Sequence, residues 1–361
     1  MNLPKKTILY FGIFDPNFSR NKIYIDGLRQ NGIEVIICID NQKGFRKYWN
    51  LWKKHRALKN SYDLMIVGFP GYIVVPFAKL IANKKAIVIW DALCSFYETQ
   101  IISRDAYKGN PFRVPYVRMI DWFAIKFSDK ILLESKQQRD YFIQRLGASE
   151  KKCIVTYTGV DETDFHLDPL IKKNRVFTVL FRGRITKEAG AVTVLKAAKL
   201  LENDEVNFIV IGFGWGSAKV EFNAALAQLK PKNVRYVSDY LAVDDLRVQM
   251  LSCHVSLGQF GDNERLQRTI PHKAFESIAM KLPYITARTP GVAEILTDGK
   301  HCLMVNIEDS SDLAAKIMAI KNNPLLAENL AKNSFELYQD QFTARKIVRP
   351  IVQLLENKLG L

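Results

Sequence analysis

The feature that most limits what this chain can fold into is an alternation, repeated through both halves, of short β-type runs and longer helical patterns. In the first half the runs are Thr7–Gly12, Glu34–Ile39, Leu64–Gly68, Ala86–Ile89, Lys130–Leu133 and Cys153–Thr156. In the second they are Thr178–Phe181, Asn207–Ile211, Val234–Val237, Val255–Leu257 and Tyr284–Ala287. Helical stretches between them include Lys22–Gln30, Arg118–Ser128, Gln137–Leu146, Ala191–Leu200 and Pro271–Lys281. Strands that return through a helix pair in parallel, and a parallel sheet needs helices on both faces, so the pattern predicts an α/β architecture. At 361 residues the chain exceeds one ordinary core. The polar segment Asp161–Arg175, with Pro169 and Lys172–Lys173–Asn174, reads as a linker. The expectation is two Rossmann-like domains, 1–165 and 166–340, with a last helical segment, 341–361, packing back towards the first.

Hydrophobic residues at 48% and charged residues at 25% are those of a soluble globular protein. The cysteines at 38, 94, 153, 253 and 302 form no C-x-x-C pair, which argues against a zinc site or a disulfide framework. They suit a reducing cytoplasm. Ile8–Phe14 follows Lys5 and Lys6 but stops at Asp15, so it reads as a buried strand and not as a signal peptide. Tyr72–Trp90 is broken by Lys79, Lys84 and Lys85, and no run reaches the roughly 18 apolar residues of a membrane span. The net charge of +15 is unevenly placed: residues 1–152 hold 26 Lys and Arg against 13 Asp and Glu, the remainder 26 against 24. The first half therefore faces something anionic: a membrane, a nucleic acid or an acidic substrate.

The second half carries a phosphate-like pattern. In FRGRITKEAG, Gly183 allows a tight turn after a strand, and Arg184 and Lys187 project beside a helix N-terminus. Backbone donors, a favourable dipole and two cations suit an anion there; two solvated loop charges are the alternative. NFIVIGFGWGS then brings Gly212, Gly214 and Gly216 after a strand, which suits close approach by a ligand or simply a turn. In RTIPHKAFESIAMKLPYIT, Pro271 opens a helix whose buried stripe is Phe275, Ile278, Ala279 and Leu282. Lys273 stands in its first turn, against the helix dipole, which is unfavourable unless an anion is present. Glu276 follows one turn later, a natural partner for vicinal ribose hydroxyls; an exposed Lys–Glu pair is the plainer reading.

GRITKEAG, LGQFGDNERLQRTIPHKAFESIAMKLPYIT and TPGVAEIL resemble the donor domain of retaining glycosyltransferases of family four. The likeness is closest to bacterial members acting on polysaccharide or lipid-linked glycans. It extends more weakly over the first half through SRNKIYIDGLRQNGIEV, VGFPGY, WDALCSFYET and YTGVDETDF. It implies the GT-B fold, two domains facing across a cleft, and a UDP- or GDP-linked sugar donor, with no cofactor; no D-x-D cluster suits a catalytic metal. Asp244–Asp245 is read as a helix cap. Arg184 would contact the diphosphate. The family's usual lysine falls at Ala189, so Lys187 or Lys273 must supply that charge. Glu276 matches the ribose-binding glutamate. Its usual partner eight residues earlier falls at Arg268, leaving Arg268, before Ile270, or the Glu264 region to meet the transferred sugar. Thr289, Gly291 and Val292 would offer backbone N–H groups, and Glu294 would head the following helix. Arg184, Lys273 and Asp91 are the expected catalytic side chains, Asp91 lying at a strand end where many members carry a histidine.

Gly12, Arg20, Asn21, Gly68, Gly71 and Ser95 are expected to border the acceptor side of the cleft. Phe45, Tyr48, Trp49 and Trp52 recur at helical spacing among seven Lys and Arg in Lys43–Lys59. That is the pattern of an interfacial helix, with Phe45, Arg46, Lys47, Trp49, Trp52 and Lys53 towards an anionic membrane; packing on the domain is the alternative. The second aromatic stretch, Phe112–Phe127, is expected to be core. The leading function is glycosyl transfer to a lipid-linked or saccharide acceptor at the inner face of the cytoplasmic membrane. A sugar-nucleotide epimerase of the same fold is the alternative, and a nucleic-acid- or membrane-binding protein is another. No nucleic-acid-binding module is recognisable, so no nucleic-acid partner is expected.

Overall fold

The computed structural model describes residues 6–103, 110 and 112–360. The chain divides into two compact units, Met1–Asp161 with Phe342–Leu361, and Glu162–Gln341.

The first unit contains six parallel strands: β1 Thr7–Gly12, β2 Glu34–Ile39, β3 Leu64–Val67, β4 Ile87–Leu93, β5 Lys130–Leu133 and β6 Cys153–Val155. Their order is β2-β1-β3-β4-β5-β6, so the chain reverses its direction of travel across the sheet between β1 and β3. The helices are α1 Ser19–Gln30, α2 Arg46–Leu58, α3 Val75–Ile81, α4 Arg113–Phe127 and α5 Lys136–Leu146. Alternate strand residues face opposite sides. Leu9, Phe11, Met65, Val67, Val88 and Trp90 meet α2 to α5 in one core.

The second unit repeats the plan with β7 Phe177–Arg182, β8 Val206–Ile211, β9 Val234–Val237, β10 Val255–Leu257, β11 Tyr284–Ala287 and β12 Leu303–Val305. Its order is β12-β11-β10-β7-β8-β9, with the reversal between β7 and β10. The helices are α6 Ala191–Leu200, α7 Ser217–Leu229, α8 Val243–Ser252, α9 His272–Ala279, α10 Pro290–Ala293, α11 Ser310–Asn322 and α12 Pro324–Leu337. The last two, α13 Ala344–Ile347 and α14 Arg349–Leu359, belong to the first unit. A side chain at Gly27 in α1 would overlap the Ala344 carbonyl, so the missing Cβ is what lets α13 lie against α1.

Several expected elements differ. β4 runs four residues past Ile89 to Leu93, and the edge strand β12 was not read. The segment after Asp161 is not a free linker. Phe165 and Ile171 pack on the second core, and Lys173 Nζ and the Asn174 N–H donate to Cys253 and Ser252 carbonyls at 2.5 and 2.9 Å. Two apolar residues within a polar stretch are enough to seat it.

Candidate active site

In a doubly wound sheet, ligands bind beyond the carboxyl ends of the strands where the chain reverses. In the second unit that point lies at the ends of β7 and β10. β7 ends in Arg182, which is buried although charged. Gly183 follows with φ +116°, a conformation that side chains avoid, and a Cβ there would meet Lys273 Cε at 2.8 Å. The glycine is thus what admits the lysine of α9 to the strand end.

Lys273 Nζ is buried, has no hydrogen-bond partner among the described residues, and lies 4.5 Å from the centroid of the Phe181 ring. Burial and the neighbouring Arg182 pull its pKa down to about 7, against partial relief from Glu276 and Glu188. Glu276 is equally enclosed, and its Oε2 stands 2.5 Å from Arg182 Nη1 while Oε1 lies 3.8 Å from His272 Nδ1. Burial pushes that carboxyl up, yet Arg182, His272 and Lys273 outweigh it and hold the pKa below the usual glutamate value. The strand end therefore gathers an ion pair and an ammonium that burial drives towards neutrality. An arriving polyanion would restore that ammonium's charge.

Arg184 is exposed and leans over Trp215 and Phe213, 4.9 and 5.8 Å from their centroids. Lys187 is also exposed, in the turn leading to α6. Gly212 and Gly214 do not face open space: Cβ atoms there would meet Gly183 O at 3.0 Å and Ile185 O at 2.6 Å. They serve the approach of two loops, which the Ile185 N–H to Phe213 O bond of 2.8 Å closes. Arg268 Nη1 pairs with Glu264 Oε1 at 3.0 Å, so the two candidates for the missing glutamate contact hold one another. Ile270 is core.

Within Thr289–Glu294 the expectation is corrected for Gly291, Val292 and the place of Glu294. The Gly291 N–H donates to Gln267 O at 2.9 Å and the Val292 N–H to Thr289 Oγ1 at 3.4 Å, so both are used within the fold. Glu294 is the C-cap of the four-residue α10 and heads no helix. Pro271 precedes α9 as its N-cap, and Asp244 and Asp245 lie in the first turn of α8 behind the N-cap Ala242.

The first unit's candidates turn inward. Asp91 lies inside β4 with no exposed surface, and its Oδ1 accepts from Arg20 Nε at 2.8 Å. Burial raises its pKa more than Arg20 lowers it. In this arrangement the carboxylate presents no surface to an acceptor hydroxyl. Arg20 also reaches Thr156 O and Thr158 Oγ1, both at 3.4 Å. Asn21 clamps the next loop, donating to Asp15 O and Phe69 O at 2.9 and 2.8 Å and accepting from the Phe69 N–H at 3.0 Å. Ser95 Oγ caps the helical turn beginning at Glu98, accepting its N–H at 3.1 Å. Gly12, Gly68 and Gly71 are buried near the β1–β3 reversal, the last two against Tyr10, Phe14 and Val67. A strand-end polar residue in sequence is equally a ligand contact or a core fastener; here the fastener prevails.

Residues 163–337 match the family model for glycosyl transferases group 1. The protein is a glycosyltransferase. It is 24% identical over 294 residues to the 2-deoxystreptamine N-acetyl-D-glucosaminyltransferase of Niallia circulans, across 78% of this chain and 73% of that one. To the capsular polysaccharide biosynthesis glycosyltransferase CapM of Staphylococcus aureus it is 22% identical over 356 residues, 90% of each chain. Among solved structures, HepE of Anabaena in complex with UDP and glucose superposes with a TM-score of 0.73 at 17% identity, over 98% of this chain and 100% of that one. The fold of this glycosyltransferase is GT-B.

Sequence reasoning missed Arg182, Glu188 and the aromatic pair Phe213 and Trp215. A charged residue closing an otherwise apolar strand was the available signal for Arg182. Glu188 is buried, with Oε1 3.5 Å from Arg265 Nη1. Phe213 and Trp215 alternate with the glycines, whose pattern drew attention away from them.

Proposed function

We propose that this glycosyltransferase moves a sugar from a nucleoside-diphosphate donor to a lipid-linked or saccharide acceptor, with retention of configuration and with side-chain cations in place of a metal. The carrying observation is the partnerless, buried Lys273 ammonium held at the switch-point end of β7 by Gly183 and flanked by the Arg182–Glu276 pair. In this reading Lys273 takes up a proton as the diphosphate arrives. Lys273 and Arg184 then stabilise the charge that grows on the leaving diphosphate, in surroundings where such charges interact strongly. Glu276 meets the ribose, and Arg268 and Glu264 lie towards the transferred sugar. Retention follows from the family resemblance, and the relative named for capsular polysaccharide biosynthesis is consistent with a saccharide or lipid-linked acceptor.

The test is thermal stabilisation by a panel of UDP- and GDP-sugars, followed by turnover with the best of them. A ligand at about one hundred times its Kd stabilises by about 2.7 kcal/mol. One nucleotide sugar is expected to raise Tm in wild type and not in Lys273→Ala. A panel in which none does, or equal stabilisation of the variant, removes the donor assignment.

A further inference from the structure

The Phe112–Phe127 stretch was expected to be core, and only one side of it is. In α4, Val117, Ile120 and Ala124 are buried, while Tyr116, Met119 and Phe123, with the N-cap Phe112, form a stripe on the opposite side. All four are exposed, Phe112 by 85%. Trp122 borders the stripe with Lys126 Nζ 4.5 Å from its ring centroid, and Trp122 meets Phe123 edge-on at 5.0 Å.

This stripe has neighbours. α2, α3 and α4 cover the same side of the sheet, since Leu51, Ala78 and Ala124 share one core. Tyr48 of α2 meets Phe77 of α3 edge-on at 5.3 Å, so Tyr48 turns inward, away from the face it was expected to share. Phe45, Trp49, Ile73 and Leu80 remain outside, Phe45 by 90% and Leu80 by 82%. Trp49 stacks on Trp52 at 4.9 Å, with Lys53 and Arg56 over their rings.

The exposed charge that α2, α3 and α4 themselves carry has one sign. α2 contains no acidic residue, and the one acid of α4, Asp121, is buried and accepts the N–H groups of Phe96 and Tyr97. Arg46, Lys47, Lys53, Arg56, Arg113, Arg118 and Lys126 therefore surround the apolar groups without a surface carboxylate on either helix. Aromatic side chains ringed by cations match an interface that is apolar at depth and anionic at its surface. No helix among the described residues is long and apolar enough to cross a membrane.

We propose that the outer side of α2, α3 and α4 is one docking face for an anionic lipid bilayer, with the α4 stripe as its principal inserting element. The proposal deepens the expected membrane contact of α2 and rests on it only for the share that α2 contributes.

The experiment is flotation of the full chain with vesicles of phosphatidylcholine alone and of phosphatidylcholine mixed with phosphatidylglycerol. Wild type is expected to float with the mixed vesicles only. Phe112→Ser/Phe123→Ser should lower its partition coefficient by about tenfold or more, with an unchanged melting temperature. Trp49→Ala should lower it less. If the α4 variant floats like wild type while Trp49→Ala does not, the α4 proposal fails and the α2 contact stands. If wild type does not float, both fail. Should the aromatic variants instead abolish a dimer seen by sedimentation, with no vesicle binding, a second copy covers this face and the proposal is overturned. As a check independent of variant folding, brominated lipid should quench the Trp emission of wild type, and Trp122→Phe should remove part of that quenching. Quenching unchanged in Trp122→Phe would keep α4 out of the bilayer.

Discussion

Arg182 Nη1 stands 2.5 Å from Glu276 Oε2, with both side chains almost completely buried. A strand of the sheet and a helix 94 residues later are joined by this contact at the point where the donor is proposed to bind. A buried ion pair is weak evidence for net stability, but breaking one strands a charge.

Arg182→Met should therefore cost about 3–5 kcal/mol, because Glu276 is left buried without its strongest partner. Urea denaturation reads this directly. The double variant Arg182→Met/Glu276→Gln should recover much of the loss. Additive losses would mean that the two residues are not energetically coupled.

Lys273 presents the opposite case. An ammonium without a partner is a cost in the ligand-free protein, so Lys273→Met should stabilise that state by about 1–3 kcal/mol. The same variant should bind UDP at least about tenfold more weakly, through loss of a charge-assisted bond worth about 1.5–3 kcal/mol. Calorimetry and thermal melting on one preparation give both numbers. A variant that melts lower and binds UDP normally would contradict the assignment.

The pH dependence follows from the same group. The folded, ligand-free pKa of Lys273 is about 7, well below its ordinary value of 10.5. The full cost of burying the charged form is thus present below pH 7 and fades as pH rises towards the unfolded value. A bound diphosphate raises the pKa again, so UDP binding should take up protons above pH 7, and affinity should fall as pH rises. Titrations at pH 8 in buffers of different ionisation enthalpy measure that uptake. Its absence in wild type, or its persistence in Lys273→Met, would assign the proton elsewhere.

In the first unit, Asp91→Asn removes the counter-charge of a fully buried Arg20 and should destabilise by about 3–5 kcal/mol. Turnover per folded molecule should be unchanged. A fall in kcat beyond the loss of folded protein would return Asp91 to the chemistry.

The residues of the candidate site were unequally legible. Lys273 was visible because a first-turn cation opposes the helix dipole, and Glu276 because it follows one turn later. Arg182 was hidden inside a strand pattern, since a single charge in an apolar run does not show which partner makes it tolerable. Asp91, Arg20 and Asn21 looked like ligand contacts because polar residues at strand ends serve both binding and fastening. Only their burial separates the two.

The amino-acid pattern by itself determined the parallel α/β elements, most of their boundaries and the position of the lysine helix. These depend on periodicity and on interactions a few residues apart, which a linear sequence records. The pairing of Arg182 with Glu276, the inward turn of Asp91 and the outward turn of the α4 aromatics were decided by the tertiary structure. Each depends on which side of a helix or strand its neighbours leave uncovered. That is a property of contacts distant in sequence. An aromatic stripe reads the same whether a sheet lies beneath it or in front of it.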